Sequence, residues 1–168
     1  MKNQFEHLYQ KMCQPITFAE LQGVYRELKT IGDFNDELLT AMKDELDASR
    51  WGCLCKLIWA IPDPVPRMFS PFLCRLLDDH RHLEIMEAVA DAMSSITDEE
   101  AVPSLIGVLD HYLIGDADFH FNRKILYALA NIGSPEAVAG IRSALESPEE
   151  IIRTTAKKEL DRMRATKG

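Results

Sequence analysis

Apolar residues recur at steps of three and four along most of the chain, and strict alternation of apolar and polar residues is absent. This spacing puts the apolar side chains on one face of a helix, whereas a half-buried strand would need the alternation. Four similar six-residue segments, at 28–33, 58–63, 93–98 and 129–134, share an anchor isoleucine. These isoleucines are Ile31, Ile61, Ile96 and Ile132, spaced 30, 35 and 36 residues apart. A helical pattern precedes and follows each one, so the sequence predicts an all-α chain of about four helical hairpins.

Helix-capping signals support these boundaries. Thr17 and Glu20 form a predicted capping box, and Ser134 precedes a proline at the first helical position. Pro71 interrupts an apolar helical pattern, which predicts a kink or a late start there. The outer helices, at about 2–12 and 148–165, each have one apolar stripe, so we expect them to cap a stack of repeats.

Two segments carry a resemblance to a known repeat. Residues 96–105 (ITDEEAVPSL) and 132–141 (IGSPEAVAGI) resemble HEAT repeats of the phycobilin-lyase type. The likeness is best over 83–146, fair over 51–79 and weak in the first repeat. It implies an α-solenoid of HEAT-like hairpins, and it says little about function because this scaffold serves many roles.

Length and composition predict a single domain over 1–168 with a sizeable core. The chain has no apolar run long enough to span a bilayer, and its start lacks the pattern of a secretory signal. We therefore expect a soluble cytoplasmic protein with no membrane partner.

The four cysteines are Cys13, Cys53, Cys55 and Cys74. Because they lie among leucines in a chain without export signals, we expect buried thiols, with disulfides and a zinc site as the alternatives. A zinc site that uses both Cys53 and Cys55 is disfavoured, because positions i and i+2 of a helix point apart.

The net charge is −8, and one part of the chain accounts for much of it. Between Arg81 and Arg123 there are nine acids and neither lysine nor arginine. A negative field repels nucleic acid and attracts basic proteins, although solubility alone is the other explanation. The predicted partner-binding residues are Glu84, Glu87, Asp91, Asp110, Tyr112, Asp116, Asp118 and Phe119. The last five fall on or beside a long connection in which aromatic residues are rimmed by acids, a composition found at interface hot spots.

The sequence offers little support for catalytic or cofactor chemistry. The di-iron hydroxylases of this architecture use His-Glu dipeptides, and the chain has none. Histidines and aspartates fall in two loops that a solenoid would bring to one edge. We interpret this edge as a solvated polar surface, with a metal site or an acid–base pair as the alternative. These residues are His80, His82, His111, His120, Asp78, Asp79, Asp110, Asp116 and Asp118. We assign no catalytic, cofactor or metal residue and expect no enzymatic activity.

Three functions fit this sequence. The first is an inhibitor or immunity protein that occludes a basic toxin such as a nuclease, with fast association through electrostatic steering. The second is a general adaptor between proteins, and the third is a lyase-like or metal-dependent enzyme. The concentrated acidity places the inhibitor first.

Overall fold

A computed structural model describes residues 2–79, 83–110 and 119–165. Within these ranges all regular structure is helical, without any strand, as the sequence predicted. The α-helices are α1 (Lys2–Met12), α2 (Phe18–Leu28), α3 (Asn35–Asp47), α4 (Trp51–Ile58), α5 (Ser70–Asp79), α6 (Leu83–Met93), α7 (Val102–Gly107), α8 (His120–Ile132), α9 (Pro135–Ser143) and α10 (Glu150–Ala165). Single 3₁₀ turns at Arg67–Phe69, Glu99–Ala101 and Ala144–Glu146 adjoin α5, α7 and α9.

The chain forms two compact units. Unit 1 is Met1–Pro62 and holds α1 to α4; unit 2 is Asp63–Gly168 and holds α5 to α10. The organisation of 1–168 as one domain stays a prediction. None of the described helices is long and apolar enough to cross a lipid bilayer.

In unit 1, α1 packs against α2, α3 and α4, and α3 packs against α4. The apolar stripe of α1 is buried at Phe5, Leu8 and Met12, which confirms the amphipathic first helix. The capping box before α2 is also confirmed: Thr17 accepts from the Glu20 N–H, and the Glu20 side chain accepts from the Thr17 N–H at 2.7 Å.

Unit 2 is built from two layers of helices. One layer stacks α6, α8 and α10, and the other stacks α5, α7 and α9. Gly133 and Ser134 connect α8 to α9, and Ser134 caps α9 by accepting from the Ala137 N–H, as predicted. Pro71 lies in the first turn of α5, so the helix starts late rather than kinks. This arrangement is consistent with an α-solenoid of HEAT-like repeats.

Hydrogen bonds connect the C-terminal ends of the helices in the layer formed by α6, α8 and α10. The Asn131 side-chain amide on α8 donates to the carbonyl of Ser94, just after α6, at 2.6 Å. The Arg162 guanidinium on α10 donates to the Asn131 side-chain oxygen at 3.3 Å and pairs with buried Glu159 at 2.7 Å. Because neighbouring repeats share these bonds, they fix the register of the stack.

At Gly140, α9 packs closely against α7. A Cβ at this position would lie 2.8 and 2.9 Å from two side-chain carbons of Ile106 on α7. A small residue on such a helix could serve either a partner surface or the packing of repeats. At Gly140 the reason is packing between repeats.

We expect Gly140→Ala to lower the free energy of unfolding by about 1 kcal/mol, because overpacking of about 1–3 kcal/mol outweighs a gain in helix propensity of about 1 kcal/mol. Gly107→Ala is the control, since nothing lies within 4 Å of its Cβ. Urea unfolding followed by circular dichroism measures both. In an Ile106→Ala background, the Gly140→Ala penalty should vanish; a penalty that persists would contradict the contact.

Candidate functional site

A groove of about 320 Å³ lies between α1 and α3 in unit 1. Its lining residues are Phe5, Glu6, Tyr9, Asp36, Glu37, Thr40, Ala41 and Asp44. The α3 residues at 36, 40 and 44 are four positions apart, so they share one helix face. We call this the α1–α3 groove.

The floor of the α1–α3 groove is aromatic. The ring of Phe5 is buried and stacks on Tyr9, with a centroid distance of 6.3 Å, and on Phe34 at 6.0 Å. Stacked rings give a rigid apolar surface with few rotatable bonds. The groove therefore has a preformed floor.

The rim of the groove is acidic. Glu6, Asp36 and Asp44 are exposed and Glu37 is partly exposed. The described residues that line the groove include no basic side chain. Because the acids surround a concave apolar surface, their field favours positively charged groups on an approaching molecule.

Tyr9 connects the groove to a buried carboxylate. Its hydroxyl donates to Glu45, whose side chain is fully buried. Arg50 donates to both carboxylate oxygens of Glu45, each at 2.7 Å, although its own side chain is 57% exposed. These bonds from Arg50, more than the one from Tyr9, lower the pKa of Glu45. Burial raises the pKa of Tyr9, and Glu45 adds to that effect.

Beside this network a disulfide joins Cys13, just after α1, to Cys53 on α4, with a Cα–Cα distance of 4.9 Å. The expectation of buried thiols is therefore wrong for these two residues, because α1 packs against α4 and brings them together. Cys55 and Cys74 are in the thiol form, and burial raises the pKa of Cys74. The sulfurs of Cys13 and Cys53 and a carboxylate oxygen of Glu45 lie within 4.8 Å of one another, so they are the described residues best placed to hold a metal.

A second cleft, of about 420 Å³, lies in unit 2. It is lined by Val65, Arg67, Thr97, Asp98, Glu99 and Glu100. Arg67 pairs with Asp98 at 3.3 Å and with Glu100 at 2.6 Å. This cleft is thus acidic, but the Arg67 guanidinium already pairs with two of its acids.

The acids predicted from the sequence on α6 have a basic neighbour. Glu87 and Asp91 are exposed, and the Lys124 ammonium on α8 lies 2.6 Å from Asp91 and 3.6 Å from Glu87. The stretch between Arg81 and Arg123 contains no lysine, but the next helix of the stack provides Lys124. The negative field of this helix face is therefore partly compensated.

The other predicted contact residues belong to different segments of the chain. The backbone of Glu84 lies in α6; Asp110 is exposed after α7; and Phe119 is half-buried before α8, with a left-handed φ of 51°. Tyr112, Asp116 and Asp118 lie outside the described residues, as do His80, His82 and His111. His120 and Asp78 are exposed. That the eight predicted residues form one partner-binding surface stays a prediction.

The α1–α3 groove was not predicted from the sequence. Its four acids come from two helices that are distant in sequence, and Lys43 lies next to Asp44, so a simple charge count does not reveal them. The available signal was the four-residue spacing of Asp36, Thr40 and Asp44, together with the aromatic stripe of α1.

Comparison with known proteins gives one family match. Residues 123–147 match the family model of the PBS lyase HEAT-like repeat. The match covers most of α8, all of α9 and the 3₁₀ turn that follows, which is one helical hairpin of unit 2. A search of curated proteins found no match to the chain. The chain is therefore similar to HEAT-like repeat proteins, and such repeats suggest a protein-interaction module.

Proposed function

We propose that the chain is a non-enzymatic protein-binding module whose α1–α3 groove accepts a basic segment of a partner protein. The observation that carries this proposal is the groove itself: an aromatic floor, four acids and no basic side chain among its described lining residues. Aromatic anchors inside a charged rim are typical of the energetic centres of protein interfaces.

The sign of the charge defines the class of partner. The chain carries a net charge of −8, which repels phosphate backbones and disfavours nucleic acid as a ligand. The same charge accelerates encounters with a basic protein, and the effect weakens as salt rises. A lysine or arginine side chain that enters the groove meets carboxylates, while its methylene groups contact the rings of Phe5 and Tyr9.

The specific function we propose is inhibition of a basic toxin, such as a nuclease, by occlusion. A nuclease that binds nucleic acid presents cations around its active site, and an acidic protein competes directly for that surface. Fast, electrostatically steered association suits an inhibitor that must act before the toxin does. Inhibition then needs no chemistry from the bound chain.

The test uses two double variants with the same change in charge. Asp36→Asn/Asp44→Asn removes two acids from the groove, whereas Glu27→Gln/Asp47→Asn removes two exposed acids outside its lining. Each tagged protein is used to capture partners from its native lysate, with mass spectrometry. We expect the wild type and the control to capture one basic protein at equal stoichiometry. The groove variant should bind that protein at least about tenfold more weakly, which is equivalent to ~1.4 kcal/mol of binding free energy.

Further measurements separate the possibilities. One equivalent of the chain should suppress the nuclease activity of the purified partner, and less so at high salt. Equal binding by the two double variants would exclude the groove. In that case, Asp110→Lys/Asp116→Lys/Asp118→Lys tests the edge predicted from the sequence.

A general adaptor is the second candidate. The cleft lined by Arg67 and residues 97–100 offers another polar surface, in unit 2, and two surfaces are what an adaptor needs. Several stable partners, with at least one that is insensitive to the groove substitutions, would favour the adaptor over the inhibitor.

A further inference from the structure

We infer that Cys13, Cys53 and Glu45 form a zinc site in the reduced protein, which the Cys13–Cys53 disulfide closes on oxidation. The two sulfurs and a Glu45 oxygen lie within 4.8 Å of one another. A tetrahedral zinc site with metal–ligand distances of about 2.0–2.3 Å holds its ligand atoms roughly 3.3–3.8 Å apart. Once the disulfide is broken, small side-chain rotations produce that spacing. The inference does not depend on the proposed function.

The surrounding charges fit a divalent cation. Two thiolates and the Glu45 carboxylate balance Zn²⁺ together with the Arg50 guanidinium, so the local sum is zero. In the oxidised state, Glu45 and Arg50 neutralise each other. Neither state leaves an uncompensated charge at the buried carboxylate, whose burial would otherwise be costly.

The ligands are held in place without the disulfide. The Lys56 ammonium donates to the carbonyls of Met12 at 2.8 Å and Gln14 at 3.0 Å, on either side of Cys13. Lys56 lies three residues after Cys53 on α4, so it keeps the two cysteines close after reduction. Tyr9 and Arg50 orient Glu45 as outer-shell hydrogen-bond partners, and such partners strengthen metal binding.

The ligand set selects zinc over hard cations. Thiolates favour Zn²⁺, whereas Mg²⁺ and Ca²⁺ require oxygen ligands. Three protein ligands leave the fourth tetrahedral position for water. Cys55 is two residues from Cys53 on the same helix, where positions i and i+2 do not share a face, and it is not part of this cluster, so it is a matched control.

The redox step balances with a thiol–disulfide couple. Reduction by a dithiol transfers two electrons to the Cys13–Cys53 bond; the dithiol becomes a cyclic disulfide and the protein gains two thiols. Zn²⁺ then displaces both thiol protons. In reverse, glutathione disulfide takes two electrons from the thiolates, gains two protons to become two glutathione molecules, and Zn²⁺ leaves as the Cys13–Cys53 bond forms.

The test is a titration of the full chain with Zn²⁺ against a competing chelating dye, and with Co²⁺ for its thiolate charge-transfer absorption. After phosphine reduction, we expect one equivalent of metal to bind, and the oxidised protein should bind none. Cys13→Ala should weaken binding at least about 100-fold and Glu45→Gln about tenfold or more, whereas Cys55→Ala should leave it unchanged.

The result that would overturn the inference is reduced wild type that binds Zn²⁺ no more tightly than Cys13→Ala. Equal binding by oxidised and reduced protein would also overturn it. Cys13 lies beyond the end of α1 and is only partly buried, so its alanine variant should keep the fold even if Cys53→Ala does not. Circular dichroism of each variant checks this point.

Discussion

Cys13→Ala/Cys53→Ala is expected to lower the free energy of unfolding of unit 1 by about 3–4 kcal/mol relative to the oxidised wild type. The disulfide joins residues 40 positions apart and encloses α2 and α3. Cross-linking a loop of this length restricts the unfolded chain, which in the loop-entropy treatment corresponds to roughly 3–4 kcal/mol. No other single covalent feature of the described chain has so large an expected effect.

Tryptophan fluorescence makes this measurement specific to unit 1. The chain has two tryptophans, Trp51 and Trp59, and both lie in unit 1. Urea unfolding is followed by fluorescence for unit 1 and by circular dichroism for the whole chain, with a chelator present to remove metal. The fluorescence midpoint should fall sharply in the double variant.

Reduced wild-type protein is the control that separates loss of the disulfide from loss of the two cysteine side chains. It should unfold close to the alanine variant when the chelator is present, because both lack the cross-link. Cys55→Ala should unfold near the wild type. Equal midpoints for the oxidised wild type and the double variant would show that the cross-link does not stabilise unit 1.

Local features of the fold could be predicted from the sequence. The predicted first helix has the observed bounds, Lys2–Met12, and the capping box at Thr17 was found where expected. Such features depend on residues within one or two turns of each other, so the spacing of apolar residues and capping side chains is sufficient to place them.

The cysteine pair could not be predicted in this way. Cys53 lies among Leu54 and Leu57, a setting that also suits a buried thiol, and Cys13 is 40 residues away. Whether they meet depends on how α1 packs against α4. Helix packing arises from many weak apolar contacts, and these leave no signature in the local sequence.

The local charge of a surface was also described incompletely by the order of residues along the chain. The stretch that contains Glu87 and Asp91 lacks lysine and arginine, yet Lys124 from the neighbouring helix pairs with both acids. In the α1–α3 groove the opposite occurs, because Lys43 is near in sequence but does not line the groove. A stack of helices combines residues from different repeats on one surface, so local charge depends on the packing.

Glu45→Gln is expected to lower the free energy of unfolding by about 2 kcal/mol at neutral pH. Hydrogen bonds to a charged group contribute about 1.5–3 kcal/mol, and the lower part of that range applies because Arg50 is open to solvent. In the variant, the amide NH₂ group faces the Arg50 donors, so at least one hydrogen bond is lost. The amide oxygen of the glutamine can still accept the hydrogen bond from the Tyr9 hydroxyl.

The effect should depend on pH in a defined direction. The pKa of Glu45 is lower in the folded protein than its ordinary value of 4.5. Its stabilising contribution is therefore complete above 4.5 and is lost as the pH falls through the lowered pKa of the folded state. Glutamine does not titrate, so the wild type and the variant should become closer in stability on acidification.

Urea unfolding at neutral pH and at about pH 3, followed by tryptophan fluorescence, tests this expectation on oxidised protein. Glu20→Gln is a useful comparison, because hydrogen bonds from Thr17 also lower the pKa of Glu20, but at an exposed helix start. It should cost much less than Glu45→Gln. A stability difference between wild type and Glu45→Gln that stays constant with pH would show that the Glu45 carboxylate is not the group through which acid destabilises unit 1.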